Sequence, residues 1–367
     1  MKRTIIFTLS LLLALNTFAQ SNMNFALAEQ TYRKALDSLE NNDYGKALKY
    51  SEDAILYKKE MVENQLKILN NSLSSRRVKA VGDNINSVLK ILNERNEFEA
   101  IKIIQYYIKK YDIENFDSSI SKLIEFISGT KVYPEAQKLI GDIYKLEGEY
   151  EYAESYYKMA LDNKDYLDIP DEKYEILYML ADISRLSGND NQMEVRLLNI
   201  LTEDSAFKDT ALKNSILRTI KANKADSVEK FFILHRADNY YSLKAYNELS
   251  QYYYKKNDQE KALLYASLFC LTSFTKIYET LKLRKFDYEY KDLKTFFQEC
   301  SYHNDILTWG SENQIWKSFN TLAAYTSEFG YVEFSKSLLK ILVLYSPERY
   351  WQQEAVIQLQ KLDPKLQ

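Results

Sequence analysis

The stretch Pro134–Leu161, PEAQKLIGDIYKLEGEYEYAESYYKMAL, decides how the chain folds. Leu139, Ile140, Ile143, Tyr144 and Leu146 recur at three- and four-residue spacing, which gathers them on one face of a helix. Gly148 interrupts that pattern, and Tyr150, Ala153, Tyr157 and Ala160 begin a second stripe. Pro134 suits the first helical turn, where its missing N–H would have no intrahelical partner in any case. The segment reads as a helical hairpin.

The same hairpin returns along the chain. Gly141 stands twelve positions before Ala153, with Tyr157 four further on and Ala160 three after that. Ser250, Ala262, Ala266 and Phe269 repeat this spacing around a turn at Lys256-Asn257-Asp258. Ala35, Ala47, Ser51 and Ala54 do so around Asp43-Tyr44-Gly45, and Ala181, Met193, Leu197 and Ile200 around Gly188. Ala323, Ser335, Leu339 and Leu342 repeat it once more around Gly330, with Pro347 closing the segment. Small side chains let two helices approach closely while larger neighbours interlock around the contact. Gly45, Gly148, Gly188 and Gly330 are expected in the turns, where a residue with positive φ ends a helix cheaply.

This spacing resembles the tetratricopeptide repeat (TPR) family, with Ile140-Gly141, Tyr144, Ala153, Tyr157 and Ala160 at the motif places of a roughly 34-residue unit. The clearest copies are 28–61, 134–167, 174–207 and 243–276, with another at 316–349. A degenerate copy surrounds Val88 to Tyr107, the 208–238 hairpin lacks the small residues, and 277–315 is expected as an irregular helical break. The resemblance implies an all-α fold: a right-handed superhelical solenoid of hairpins over 20–276, then a C-terminal hairpin and cap over 316–367. It also implies that the first helix of each hairpin lines a concave, partner-binding face. Here that face comprises Lys138, Asp142 and Lys145, then Tyr178, Asp182 and Arg185, then Asn247, Gln251 and Tyr254. Family members that grip a C-terminal carboxylate use a Lys-and-Asn clamp at such places. Asp142 and Asp182 stand where that clamp wants Asn and would repel the ligand's own charge. Mixed charge with Tyr fits an extended peptide or a folded neighbour better.

Residues 1–19 read as a signal peptide. Lys2 and Arg3 precede an apolar core from Ile5 to Leu15, and Thr17 and Ala19 are small residues at the −3 and −1 places of a cleavage site. The apolar run is well short of the roughly 20 residues a bilayer span needs. The expected destination is the periplasm or cell envelope, with no transmembrane span after cleavage. Export meets an oxidising environment, so Cys270 and Cys300 are candidates for a disulfide; the alternative is two small buried hydrophobes. The sequence leaves both open.

Composition narrows the chemistry. Of 367 residues, 46% are hydrophobic and 28% charged, enough apolar material for a large folded body. A formal net charge of −3 lacks the positive excess of a nucleic-acid binder. With 8 Gly and 2 His, the chain is poor in the residues of phosphate loops and multi-His metal centres. His235 and His303 lie in no nucleophile motif, and with the two Cys they lack zinc-ligand spacing. We therefore expect no catalysis, no cofactor and no metal. The 31 Tyr cluster as Tyr106-Tyr107, Tyr156-Tyr157, Tyr240-Tyr241 and Tyr252-Tyr253-Tyr254, either filling helix contacts or lining a groove. The expectation is an interaction scaffold for another envelope or periplasmic protein, for example in a spirochaete periplasmic flagellar collar. The alternative is a peptide- or carbohydrate-binding module using the aromatics of 240–254; exposed rings there would favour it, buried rings the scaffold.

Overall fold

The computed structural model describes residues 26–111 and 118–363. The expected signal peptide at 1–19 lies outside them. The described residues are helical and include no strand; the isolated bridge between Asn84 and Ser119 is their one extended pairing. Two compact units divide the chain, Met1–Asn189 and Asp190–Gln367.

Turns of one geometry recur through both units. Asn42, Asn96, Gly148, Gly188, Asn257 and Gly330 all adopt positive φ, between 57° and 89°. In each case the next residue donates its N–H to the carbonyl five positions earlier, as in Glu149 to Tyr144 at 2.8 Å and Tyr331 to Thr326 at 2.8 Å. That bond satisfies a carbonyl which the helix end would otherwise leave orphaned. Counting from the positive-φ residue, the small side chains lie seven before and five after: Ala35 and Ala47, Gly141 and Ala153, Ser250 and Ala262, Ala323 and Ser335. One of the glycine assignments is corrected. Gly45 sits inside the first turn of a helix; Asn42 makes the turn instead, and the Asp43 side chain caps it by accepting the Lys46 N–H. Asn reaches the left-handed region because its short polar side chain bonds locally.

In the first unit, helix α1 (26–40) and helix α2 (Tyr44–Leu73) meet at Ala35 and Ala47, which pack with Leu139 and Ile143 of α7 (Pro134–Leu146). Helix α8 (Tyr150–Asp162) closes on α7 where Gly141 faces the Tyr157 ring; an added Cβ would come within 2.7 Å of a ring carbon. Helix α9 (Glu172–Leu186) packs on α8. Helix α2 runs 30 residues, well past its hairpin. Its far half gives Met61, Val62 and Leu69 to a core shared with α3 (Arg76–Ala80), α4 (Ile85–Glu94), α5 (Phe98–Tyr111) and α6 (Ile120–Gly129). The degenerate copy around Val88–Tyr107 is therefore not stacked between its sequence neighbours. Helix α2 packs directly on α7, and α3–α6 form a side branch on the overhang.

The second unit uses the same device. It contains α10 (Asp190–Ile200), α11 (Ser205–Lys208), α12 (Thr210–Lys221) and α13 (Ser227–Leu234). Then follow α14 (Leu243–Lys255), α15 (Gln259–Arg284), α16 (Leu293–Ser301) and α17 (Asn304–Glu312). The last helices are α18 (Ile315–Glu328), α19 (Val332–Tyr345) and α20 (Arg349–Leu362). Helices α14 and α15 pair, α18 and α19 pair, and α15 packs straight onto α18. At the α18–α19 contact the Ser335 hydroxyl donates to the Ala323 carbonyl at 2.7 Å, so the small residue also makes a bond. Within 277–315, α15 continues unbroken to Arg284, irregular backbone runs over 285–292, and α16 and α17 follow as short helices.

Cys270 and Cys300 are not paired. Both are free and fully buried, Cys270 within α15 and Cys300 near the end of α16. Burial pushes both thiols up, and they behave as the small hydrophobes of the second reading.

Candidate partner-binding surfaces

The first-helix residues expected to line a groove fall in the two units separately. In the first unit α7 and α9 run side by side, and their charged residues form a ladder. Lys138 reaches Glu175 at 3.2 Å and Asp142 at 3.7 Å; Lys145 reaches Asp182 at 3.4 Å, and Arg185 holds the other Asp182 oxygen at 2.6 Å. The Tyr157 hydroxyl donates to Asp142 at 2.6 Å. Burial raises the Asp142 carboxyl, with Lys138, the Tyr157 hydroxyl and Lys145 opposing. Burial lowers Lys138 in turn, but Asp142 and Glu175 outweigh it and leave that ammonium raised. The ladder is graded in exposure. Asp182 keeps 11% of its side chain in solvent and Arg185 56%. Tyr178 lies half-buried on the same helix.

In the second unit, Asn247 and Gln251 bond each other on α14, amide to amide at 2.8 Å. Tyr254 is not a free anchor. Its ring stacks on Tyr325 at 4.6 Å, and its hydroxyl donates to the Glu328 carboxylate at 2.6–2.7 Å. The other aromatics of 240–254 are similarly committed. Tyr246 is buried against Asp204, Tyr252 and Tyr253 both reach Glu194, and Tyr240 donates to Asn313. Tyr241 has 39% of its surface exposed. Helix packing needs these rings, and the hydroxyls find acceptors at the edges.

His235 is buried, bonded to the Thr219 hydroxyl at 3.2 Å, and lowered by burial and by Arg236. His303 sits beside Arg284, whose guanidinium is bound to Asp305. Among the described residues, no group of His, Cys, Asp and Glu is arranged to hold a metal ion. No helix among them is long and apolar enough to cross a membrane.

One concave feature of the first unit escaped the sequence. An open pocket of about 470 Å³ is lined by Glu29, Tyr32, Lys58, Tyr106, Tyr133 and Glu135, among others. Its residues come from α1, α2, α5, the start of α7 with its N-cap Tyr133, and Asp168 in the loop before α9, which no local motif links. A short signal does exist at Tyr133-Pro134-Glu135, where a carboxylate enters the first turn of α7.

No family model matches the chain. It is 29% identical over 283 residues to a protein of Treponema pallidum (strain Nichols) described as uncharacterized. That match covers 76% of this chain and 75% of the Treponema protein.

Proposed function

We propose that the chain is a non-catalytic scaffold or adaptor of the bacterial periplasm or cell envelope. In this reading it is exported by its signal peptide and built from TPR-like hairpins. The observation that carries the reading is the ladder of mixed charge along α7 and α9, in which Glu175 and Arg185 stand in solvent over largely buried partners. Solvent screens the pairs of the exposed members, Glu175 and Arg185. Their side chains can exchange partners with an incoming protein surface at small loss. Mixed charge beside Tyr178 suits an extended peptide or a folded neighbour. The recurrent turns support the repeat assignment independently.

The alternative, a peptide- or carbohydrate-binding module, needs exposed aromatics at 240–254, and the internal commitments of Tyr240, Tyr252, Tyr253 and Tyr254 count against it. Among envelope machines, the collar around spirochaete periplasmic flagella is our specific candidate; support comes from the helical architecture and from a relative in Treponema, a spirochaete. A crosslinking pull-down from the source cells tests the scaffold reading. Tyr178→Ala with Arg185→Ala should lose the partner while circular dichroism stays helical, and Lys158→Ala on α8 should keep it. Loss of the partner with Lys158→Ala alone would move the interface to the other helix layer.

A further inference from the structure

In the second unit, the far end of α15 leaves large apolar side chains bare. Phe286 is 99% exposed, and Leu283, on the last turn of α15, is 89% exposed. Tyr302, in the turn between α16 and α17, is 78% exposed. The Arg284 guanidinium ties the two places together: it donates to the Asp305 carboxylate at 2.9 Å and lies 3.2 Å from a ring nitrogen of His303. Single exposed apolar side chains are ordinary on a protein surface, but these three share one end of the unit. The backbone there has the means to hide a ring. The Tyr288 N–H bonds the Lys285 carbonyl at 2.8 Å, which closes a tight turn with Phe286 and Asp287 at its corners. Tyr288 turns in against Tyr278, with ring centroids 5.9 Å apart. Tyr290 turns in against Phe274 at 5.0 Å and donates its hydroxyl to Glu229 at 2.9 Å. Of the three rings in this segment, Phe286 stays out.

We propose that this end of the second unit attaches to a phospholipid bilayer, with Phe286 and Leu283 entering the boundary between headgroups and acyl chains and Tyr302 resting at headgroup level. Area argues against a protein occupant. At ordinary side-chain areas the three present about 500 Å², short of the roughly 800 Å² that each partner gives to a stable interface. Shape argues the same way. A side chain 99% exposed rests on almost nothing of its own chain, so Phe286 is a knob and not the wall of a groove. A fluid bilayer closes round a knob without a matching pocket. The local charges are mixed, with Lys282, Arg284 and Lys285 against Asp287, Glu289 and Asp305. Apolar insertion, not charge, therefore carries the attachment, and the lysines keep their ammonium groups among the headgroups on apolar stems. Tyrosine suits that layer, with an apolar ring and a polar tip. Two inserted side chains give a weak, reversible attachment. None of these residues belongs to the α7–α9 ladder, so the two surfaces fail separately.

The test uses the mature chain with vesicles of phosphatidylcholine, alone or mixed with phosphatidylglycerol. Cys270 and Cys300 are fully buried, so a thiol introduced at the surface takes an environment-sensitive nitrobenzoxadiazole label selectively. The label on Phe286→Cys should brighten about twofold or more with either vesicle, and the label on Lys158→Cys should not respond. In vesicle pelleting, Leu283→Ser with Phe286→Ser should lower the partition coefficient of the unlabelled chain about tenfold or more. Leu344→Ser, which alters an exposed leucine of α19, should leave it unchanged. Circular dichroism should stay helical throughout, since none of these side chains is packed. A silent label at position 286, or a folded double variant that pellets undiminished, overturns the proposal. Pelleting that appears only with phosphatidylglycerol also overturns it, because charge would then carry the attachment. So does brightening at position 286 that follows protein concentration without vesicles, which would assign the knob to a second copy.

Discussion

At the scale of single residues, two glycines make the account testable with opposite signs. Gly45 lies within α2 with nothing within 4 Å of an added Cβ, so Gly45→Ala should stabilise by about 0.4–1 kcal/mol through the unfolded chain. Gly148 has equally open surroundings but a φ of 82°, so Gly148→Ala should destabilise by about 1 kcal/mol. Two melting curves decide both. The sequence showed that a turn lay near each, but helical periodicity alone did not tell the first turn of a helix from the residue that ends the one before. Asn42 and Asn257 carry the turn as well as glycine does, and that equivalence hid the true position at Gly45.

Glu135 offers a second test at the same scale. Burial raises its carboxyl, while the Asp168 N–H and its own backbone N–H bond to it and limit the rise. A carboxyl raised on folding holds its proton longer in the folded chain than in the unfolded one. Stability from this group is therefore greatest below the unfolded value, near 4.3, and falls as pH rises through the folded one. Glu135→Gln keeps an acceptor oxygen and removes the charge. Its melting temperature should exceed that of the wild type at pH 7, and the gain should disappear at pH 4. Melting at the two pH values checks it, and a gain that persists at pH 4 would trace to packing instead.

At the scale of elements, the overhanging helices explain what the repeat pattern could not. Helices α2 and α15, of 30 and 26 residues, each continue beyond their hairpin, and each unit returns to the long helix after an excursion. An amphipathic pattern continues smoothly from one partner to the next, so the sequence marks a helix face without naming what covers it. That is why Val88–Tyr107 read as a stacked repeat and 277–315 as a simple break. Leu69 is fully buried in the core that ties α3–α6 to α2. Leu69→Ala should cost about 2–5 kcal/mol locally. Hydrogen exchange should then accelerate in residues 76–111 and 118–129 well before it does in α7–α9. Uniform acceleration across 26–189 would mean that the branch and the hairpins form one cooperative body.

At the scale of the whole molecule, the scaffold reading proposed above rests on helices of one unit bringing side chains from successive hairpins together, as α7 and α9 do. The α7–α9 ladder was legible because its residues recur at motif spacing; the Lys58 pocket was not, because its lining is scattered from Ala28 to Asp168. Our central claim is that the α7–α9 face meets the partner. Its most direct measurement is site-specific photocrosslinking in the source cells, with a benzophenone side chain at position 178 or at position 158. We predict a discrete crosslinked species from position 178 and none from position 158. A discrete species from position 158 alone would contradict the claim.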